Sequence, residues 1–375
     1  MSRVLPGVVC AETQVVVIGA GVIGCSIAYH LARRGAAVTV VDANGVATGT
    51  SSATLGLVWV QRKEPAEYME LNYLSSRLHQ ELAKTFDDDV ELNQPGGIAT
   101  YFDQPTFDKQ LAVMQRLNAA SAIHQARMLT AAEARQMEPE LSPYILGAIY
   151  CPHDGEINPI RLAVNLARNA RKHGVHFITH AGPIQIKKGE AGVVGIETPG
   201  GLVRAGVVVV AAGMGTSALV RPLGIDLPVV FEKGQLLVTE AMRRIMTYPT
   251  GNTRQTGHGN ILLGTTYEAD QSERVTTLQG ASRIAGDVIS RYPALKDARI
   301  IRHFAGIRPL PQDGKPYLGA VKRLPGLYVA TSHSGITLSP VHGKVISELI
   351  LDGRTDVPIS AYSPERCCSG FTPEP

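Results

Sequence analysis

The sequence lacks the spacings that would tie it to a metal. Its five cysteines (Cys10, Cys25, Cys151, Cys367, Cys368) form no CxxC pair and no ligand pattern. That argues against an iron–sulfur cluster held by this chain alone and fits a reducing compartment. There is no run of lysine and arginine, and a formal charge of +3 makes no electrostatic case for nucleic acid. No stretch of about 18 apolar residues occurs, so no membrane span is expected. The opening "MSRVLPGVVCAE" has neither the basic start nor the longer apolar stretch of a signal peptide. A cytoplasmic location is therefore expected, with peripheral attachment to a membrane through a partner left open. No internal repeat is present.

What the chain does have is length and a nucleotide motif. At 375 residues it is long for one core, which suggests two domains. A hydrophobic content of 44% with 18% charged residues describes an ordinary globular protein. Residues 14–42 read "QVVVIGAGVIGCSIAYHLARRGAAVTVVD". An apolar strand ends in Gly19, Gly21 and Gly24, a helix follows, Gly35 closes it, and a second strand ends in Asp42. Gly19 permits the tight turn, Gly21 lets backbone approach a pyrophosphate, and Gly24 lets helix and strand pack closely. Asp42 can accept both ribose hydroxyls and would repel a 2′-phosphate. The motif alone does not separate FAD from NAD.

Two later stretches extend the same sheet. "VVVVAAG" at 207–213 is a buried strand ending in small residues, as expected where backbone passes a cofactor. "LYVAT" begins at 327 and leads into "SHSGITLSPVHGKV", where Ser339 is placed as an N-cap, with Pro340 at the first helical position. A nucleotide domain built from the first, middle and last parts of the chain leaves two insertions for a second domain. The expected division is 13–90, 150–228 and 301–360 for the cofactor domain and 91–149 and 229–300 for the substrate domain. Residues 361–375 are expected to be a flexible tail. Segments 229–240 and 260–264 read as strands of an antiparallel sheet, and 107–121 and 277–290 as helices.

With these motifs in place, the chain resembles the FAD-dependent amino-acid and amine oxidoreductases, the family of glycine oxidase, sarcosine oxidase and D-amino-acid dehydrogenase. The likeness runs over roughly 14–355. It rests on the dinucleotide motif and on "GTSSATLGLVW" (49–59), "DGEINPIRL" (154–162), "HAGPIQI" (180–186), "FAGIRPLPQDGKPYLG" (304–319) and the segment at 328–350. Within the family, "GLVWVQ" and "HSGITLSP" are most similar to the catalytic subunits of multi-subunit opine oxidases and hydroxyproline or proline dehydrogenases. The fold implied is a Rossmann-like α/β FAD-binding domain with an inserted antiparallel-sheet (α+β) substrate domain.

The resemblance also implies a set of site residues. Cofactor contacts would come from Gly19, Ala20, Gly21, Val22, Ile23 and Gly24, then from Asp42 and Ala43. The loop wrapping the pyrophosphate and ring would supply Thr50, Ser51, Leu55, Gly56 and Leu57, and Ile184 would hold the adenine. Ala212, Gly213 and Gly306 would pass close to the cofactor. Backbone donors at Gly335, Ile336, Thr337 and Leu338 would face the flavin pyrimidine edge and stabilise the negative charge that develops there. Arg308 matches the arginine that grips the substrate carboxylate through a planar fork, with a structural salt bridge as its alternative. His333 stands where glycine oxidases place a second substrate-contacting arginine. His303 is read as packing, and no general base is evident.

Thr337 occupies the position at which monomeric sarcosine oxidases carry a lysine that assists oxygen. The missing cation implies slow reaction with oxygen and an electron-accepting partner subunit. The reading is a flavoenzyme oxidising the C–N bond of an amino acid or secondary amine of opine, hydroxyproline or sarcosine type, as the catalytic subunit of a complex. Its rivals are a stand-alone glycine, sarcosine or D-amino-acid oxidase that makes peroxide and an FAD-binding scaffold subunit without chemistry. A NAD-dependent dehydrogenase would leave the flavin-edge loop unexplained.

Overall fold

The computed structural model describes residues 14–367. Cys10, Cys368, the opening stretch and the last part of the expected tail lie outside the described residues. Strand Val15–Ile18 is buried throughout, and Val38–Val41 likewise. Strands that read as unbroken apolar runs belong in the middle of a parallel sheet covered on both faces. Here the order across the sheet is 317–320, 327–331, 207–210, 15–18, 38–41 and 176–178. All neighbours are parallel except Tyr317–Ala320, which runs antiparallel to Leu327–Thr331. Helices Val22–Arg33, Pro159–Lys172 and Gly335–Leu351 pack together on one face of the sheet and share its core. This is the nucleotide-binding half that the sequence implies.

The second half is an antiparallel sheet centred on the long strand Val229–Ala241. Asn260–Gly264 lies on one side of it and Ile300–Pro311 on the other. The pairing of Ile300–Pro311 with Val229–Ala241 runs from Val229 opposite Pro311 to Thr239 opposite Ile300. Residues 300–311 therefore belong to this sheet, and the expected boundary at 301 moves to the end of that strand. Gly97–Tyr101, Arg127–Thr130 and Gly147–Cys151 form a further small sheet beside it. The expected helices are Gln104–Ala120 and Leu278–Arg291. The first starts early because Asp103 caps it, accepting from the N–H of Thr106 at 2.9 Å, with Pro105 behind it.

The helix after Leu327–Thr331 also begins earlier than its sequence signals indicate. It spans Gly335–Leu351 with Ser334 at its N-cap, so Ser339 is not the cap and Pro340 lies inside the helix. An interior proline leaves the carbonyl four residues back without its helical donor. That carbonyl, of Ile336, instead accepts from His79 Nε2 at 2.9 Å and from Ser339 Oγ at 3.1 Å. His79 also donates to the carbonyl of Thr337 at 3.1 Å, and Ser75 Oγ accepts from the N–H of Val341 at 3.2 Å. Helix Ala66–Ala83 thus supplies the partners that the proline withdraws. Burial pushes His79 down to about 4, so the ring is neutral.

The start of the expected flexible tail is ordered. Tyr362 is buried, and Arg366 pairs with Asp313 at 2.7 Å while lying 4.5 Å from the ring of Tyr317. Among the described residues no helix is long and apolar enough to cross a membrane. Nor does any cluster of metal-ligating side chains occur among them.

Candidate functional site

A cleft opens at the carboxyl ends of the parallel strands, where α/β sheets of this kind bind ligands. Its first part is a chamber of about 160 Å³. The glycine-rich turn is built by contact. Gly19 has φ +110, and a Cβ on Gly24 would lie 1.9 Å from the carbonyl oxygen of Gly19. Asp42 is fixed by two backbone donors, the N–H of Ala20 to Oδ2 at 2.7 Å and the N–H of Asn44 to Oδ1 at 2.8 Å. A carboxylate has about four lone-pair sites, so each oxygen keeps capacity for a ligand hydroxyl. Ser51 Oγ accepts from the N–H of Val22 at 3.0 Å and ties the following loop to the helix N-terminus.

Most of the residues expected here stand on the wall of this chamber: Gly19, Gly21, Val22, Ile23, Asp42, Thr50, Ser51, Ala212, Gly213, Gly335 and Ile336. Five do not. Ala20 sits behind the wall with its N–H taken by Asp42, and Gly24 lies under the turn. Ala43 is exposed outside the chamber, and Ile184 packs against the buried face of the sheet. Leu338 is fully buried, and its N–H donates to Ser334 O at 2.9 Å. Because the helix begins at Gly335, only the N–H groups of Ile336 and Thr337 are left without a partner among the described residues. Ser332, unmarked by sequence reasoning, adds a buried hydroxyl that has no partner among the described residues.

The cleft continues into an inner chamber of about 260 Å³ that shares Thr50, Thr54, His333, Gly335 and Ile336 with the first. Leu55, Leu57, Trp59, Gly306 and Arg308 line it, with Gly56 behind them. The carbonyl of Gly56 accepts from the N–H of Ile157 at 2.8 Å. Gly306 is needed for close approach, since a Cβ there would lie 2.3 Å from the carbonyl oxygen of Ala53. Thr50 Oγ1 donates to the carbonyl of Ile307 at 2.6 Å, so the loop at 49–59 is pinned to both halves of the fold. Asp154 fixes the far end of this loop, accepting from the N–H of Val60 at 2.5 Å and from Gln61 Nε2 at 2.6 Å. Burial raises its carboxyl to about 6, against the pull of those donors. Trp59 Nε1 is buried on the chamber wall without a partner among the described residues.

Thr337 has a structural task. Its Oγ1 accepts from the N–H of Trp59 at 3.1 Å and donates to the carbonyl of Leu57 at 3.2 Å, stapling the helix to the loop. The expectation that no cation stands near this position fails. Lys63 lines the same chamber, with Nζ 2.7 Å from Ser334 Oγ. Burial, and then the charge of Arg62, push Lys63 down to about 8. Arg62 and Lys63 follow directly on "GLVWVQ", and that adjacency was the one sequence signal for them.

Arg308 faces the chamber but is not an open fork. Its Nη1 lies 2.9 Å from Glu232 Oε1, and its Nη2 donates to Thr265 Oγ1 at 2.7 Å. The ring of Tyr267 lies 4.9 Å from the guanidinium carbon. His333 is exposed and opens into both chambers. Desolvation in the cleft, followed by the charges of Lys63 and Arg308, pushes it down to about 3, so it is neutral. His303 lies on neither wall.

Comparison with known proteins bears on this arrangement. The profile of the family described as FAD dependent oxidoreductase matches residues 14–349. An opine oxidase component of Rhizobium meliloti, named as one subunit of that enzyme, is 28% identical over 367 residues, covering 95% of this chain and 98% of that protein. Glycine oxidase of Geobacillus kaustophilus is 28% identical over 93% of this chain and 96% of its own length. The crystal structure of glycine oxidase from Geobacillus kaustophilus superposes with a TM-score of 0.88 at 26% identity, over 95% of this chain and 99% of that one.

Proposed function

The chain belongs to the family of FAD-dependent oxidoreductases, and from that premise we propose that it oxidises the C–N bond of a small or N-substituted amino acid. The substrate class is a secondary amine of opine, hydroxyproline or sarcosine type. The observation that carries the reading is the charge of the inner chamber. Arg62, Lys63 and Arg308 line it, and no Asp or Glu does among the described residues. Such a wall suits a ligand with a carboxylate.

The residues present fit FAD. Asp42 offers free lone pairs for ribose hydroxyls, while Ser332 Oγ and the N–H groups of Ile336 and Thr337 are donors in want of an acceptor. When bound, FAD accepts a hydride equivalent from the carbon bearing nitrogen. The chain's own part is to hold the substrate. Arg308 would take the carboxylate by exchanging or sharing the place now filled by Glu232. His333, being neutral, can hydrogen-bond without adding charge. Leu55, Leu57 and Trp59 give the chamber apolar walls that exclude water. If the amine enters neutral, hydride transfer needs no base, and among the described residues no carboxylate stands on these walls to act as one.

We propose further that the electrons leave through a partner protein. The Rhizobium relative supports this, since its name makes it one component of a larger opine oxidase. A stand-alone oxidase is favoured by Lys63, whose charge could stabilise the anion formed as oxygen is reduced. Dye-linked turnover and peroxide release, measured side by side on one preparation, separate the two. The multi-subunit reading expects dye reduction to exceed peroxide by a wide margin, with a carbonyl product formed in step with the dye reduced. Peroxide formed as fast as dye is reduced promotes the oxidase. A protein that retains FAD but oxidises no N-substituted amino acid would favour the scaffold.

A further inference from the structure

Beyond the inner chamber lies a third cavity of about 500 Å³, larger than either of the others. It shares Arg62, Gly251, Thr265 and Tyr267 with the inner chamber, so those four residues form a doorway. A small amino acid whose carboxylate sits at Arg308 leaves this space unexplained.

The charges on its walls are unequal in their commitments. Arg291 is satisfied internally, with Nη2 2.9 Å from Asp287 Oδ1 and Nη1 donating to Thr100 Oγ1 at 2.8 Å. Asp287 also accepts from Asn252 Nδ2 at 2.6 Å. Asp103 caps a helix. Arg62 and Arg283 remain, both on the cavity wall and neither with a carboxylate partner among the described residues. The doorway is shaped around Arg62. This residue has φ +64, a left-handed conformation that L residues rarely adopt. A Cβ on Gly251 would lie 2.6 Å from its Nη2, so the guanidinium rests against the glycine in the arrangement seen.

We propose that the substrate carries two carboxylates: an N-(carboxyalkyl) amino acid whose α-carboxylate goes to Arg308 and whose second carboxylate passes the doorway to Arg62 and Arg283. This rests on the reading of the inner chamber as the site of C–N oxidation. Arginine suits the outer role because its planar fork takes a carboxylate through two parallel hydrogen bonds. Tyr267 stands in the doorway over Arg308, with apolar surface for the linking carbons.

The test uses the FAD-loaded protein and ligands that cannot be oxidised. These are alkoxyacetic acids, in which an ether oxygen replaces the nitrogen, made in pairs of increasing arm length with and without a terminal carboxylate. Binding is read by perturbation of the flavin absorbance and by the shift in Tm. At the best arm length the diacid is expected to bind on the order of tenfold tighter than its monoacid, as one charge-assisted hydrogen bond allows. Arg62→Gln and Arg283→Gln should each bring that ratio towards one, with FAD content and ligand-free Tm reporting an intact fold. A wild-type protein that binds diacid and monoacid equally at every length overturns the proposal. So does a diacid preference that survives both substitutions together. Should the preference hold while none of the corresponding amines bleaches the flavin, the oxidation chemistry fails and the two-carboxylate site stands.

Discussion

Arg308 and Glu232 sit directly opposite each other on neighbouring strands, with Nη1 2.9 Å from Oε1, both side chains about one-fifth exposed, and only Arg308 on the wall of the inner chamber. The residue that resemblance assigns to the substrate carboxylate is therefore held by a carboxylate of its own chain. A ligand must displace or share that partner. Arg308→Lys should raise the substrate concentration needed for half-maximal flavin reduction by tenfold or more, since about 1.5–3 kcal/mol goes with each charge-assisted hydrogen bond. Glu232→Gln should lower it, because the fork is released. FAD content should change little in either. If Glu232→Gln weakens binding as much as Arg308→Lys does, the pair is a structural support.

Lys63 gives the chamber a charge that depends on pH. Its ammonium is pushed down to about 8, so the charge is present below that pH and is lost above it. The affinity of a carboxylate without an amine, such as methoxyacetate, should fall between pH 7 and 9. Lys63→Met should weaken binding at pH 7 and flatten the profile. A wild-type affinity that does not vary over this range would remove Lys63 from the binding of anions.

Thr337 is expected to act on stability. Thr337→Val keeps the shape but loses the bonds to Trp59 and Leu57, which should cost about 1–3 kcal/mol in urea unfolding. Thr337→Ser should stay near the wild type. Thr337→Lys is a poor probe of oxygen chemistry, since it breaks the same staple. Equal stability of Thr337→Val and the wild type would show that the hydroxyl is not a structural tie.

Buried neutral histidines set the response to acid. His79 and His342 are both pushed down to about 4 by burial. Their folded values lie below the unfolded one near 6.5. Their contribution to stability is therefore complete above that value and is lost as pH falls towards 4. Each costs up to about 1.4 kcal/mol per pH unit while only the unfolded chain binds the proton. The urea midpoint should fall steadily from pH 6.5 to 4.5, and His79→Gln should reduce the slope. A midpoint that is flat over this range would contradict the neutral assignment.

The sequence made local features legible and long-range ones obscure. The turn at Gly19–Gly24 and the acid at 42 follow from strand, turn and helix chemistry confined to a short segment, and they lie as expected. The start of the last helix misled. Ser339-Pro340 is a good local start signal, but His79 and Ser75, far away in sequence, allow the proline to sit inside. Residues 301–311 fall in the cofactor half by sequence because their apolar pattern fits either sheet, and only pairing with Val229–Ala241 decides. Lys63 escaped because its one signal, adjacency to "GLVWVQ", does not announce that a side chain after a loop will point into a cavity. Arg308 was found by resemblance, but its partner Glu232 was not, because a cross-strand pair is written in register.

Oxidation of a carbon–nitrogen bond with FAD in this cleft leaves a direct optical signature. It is read from the visible spectrum of the purified protein, mixed without oxygen with N-substituted amino acids and with the same acids bearing oxygen in place of nitrogen. The wild type should carry FAD, at least one of the amines should bleach its absorbance, and none of the oxygen analogues should. A protein that carries FAD but keeps its full absorbance with every amine in the panel would contradict this chemistry.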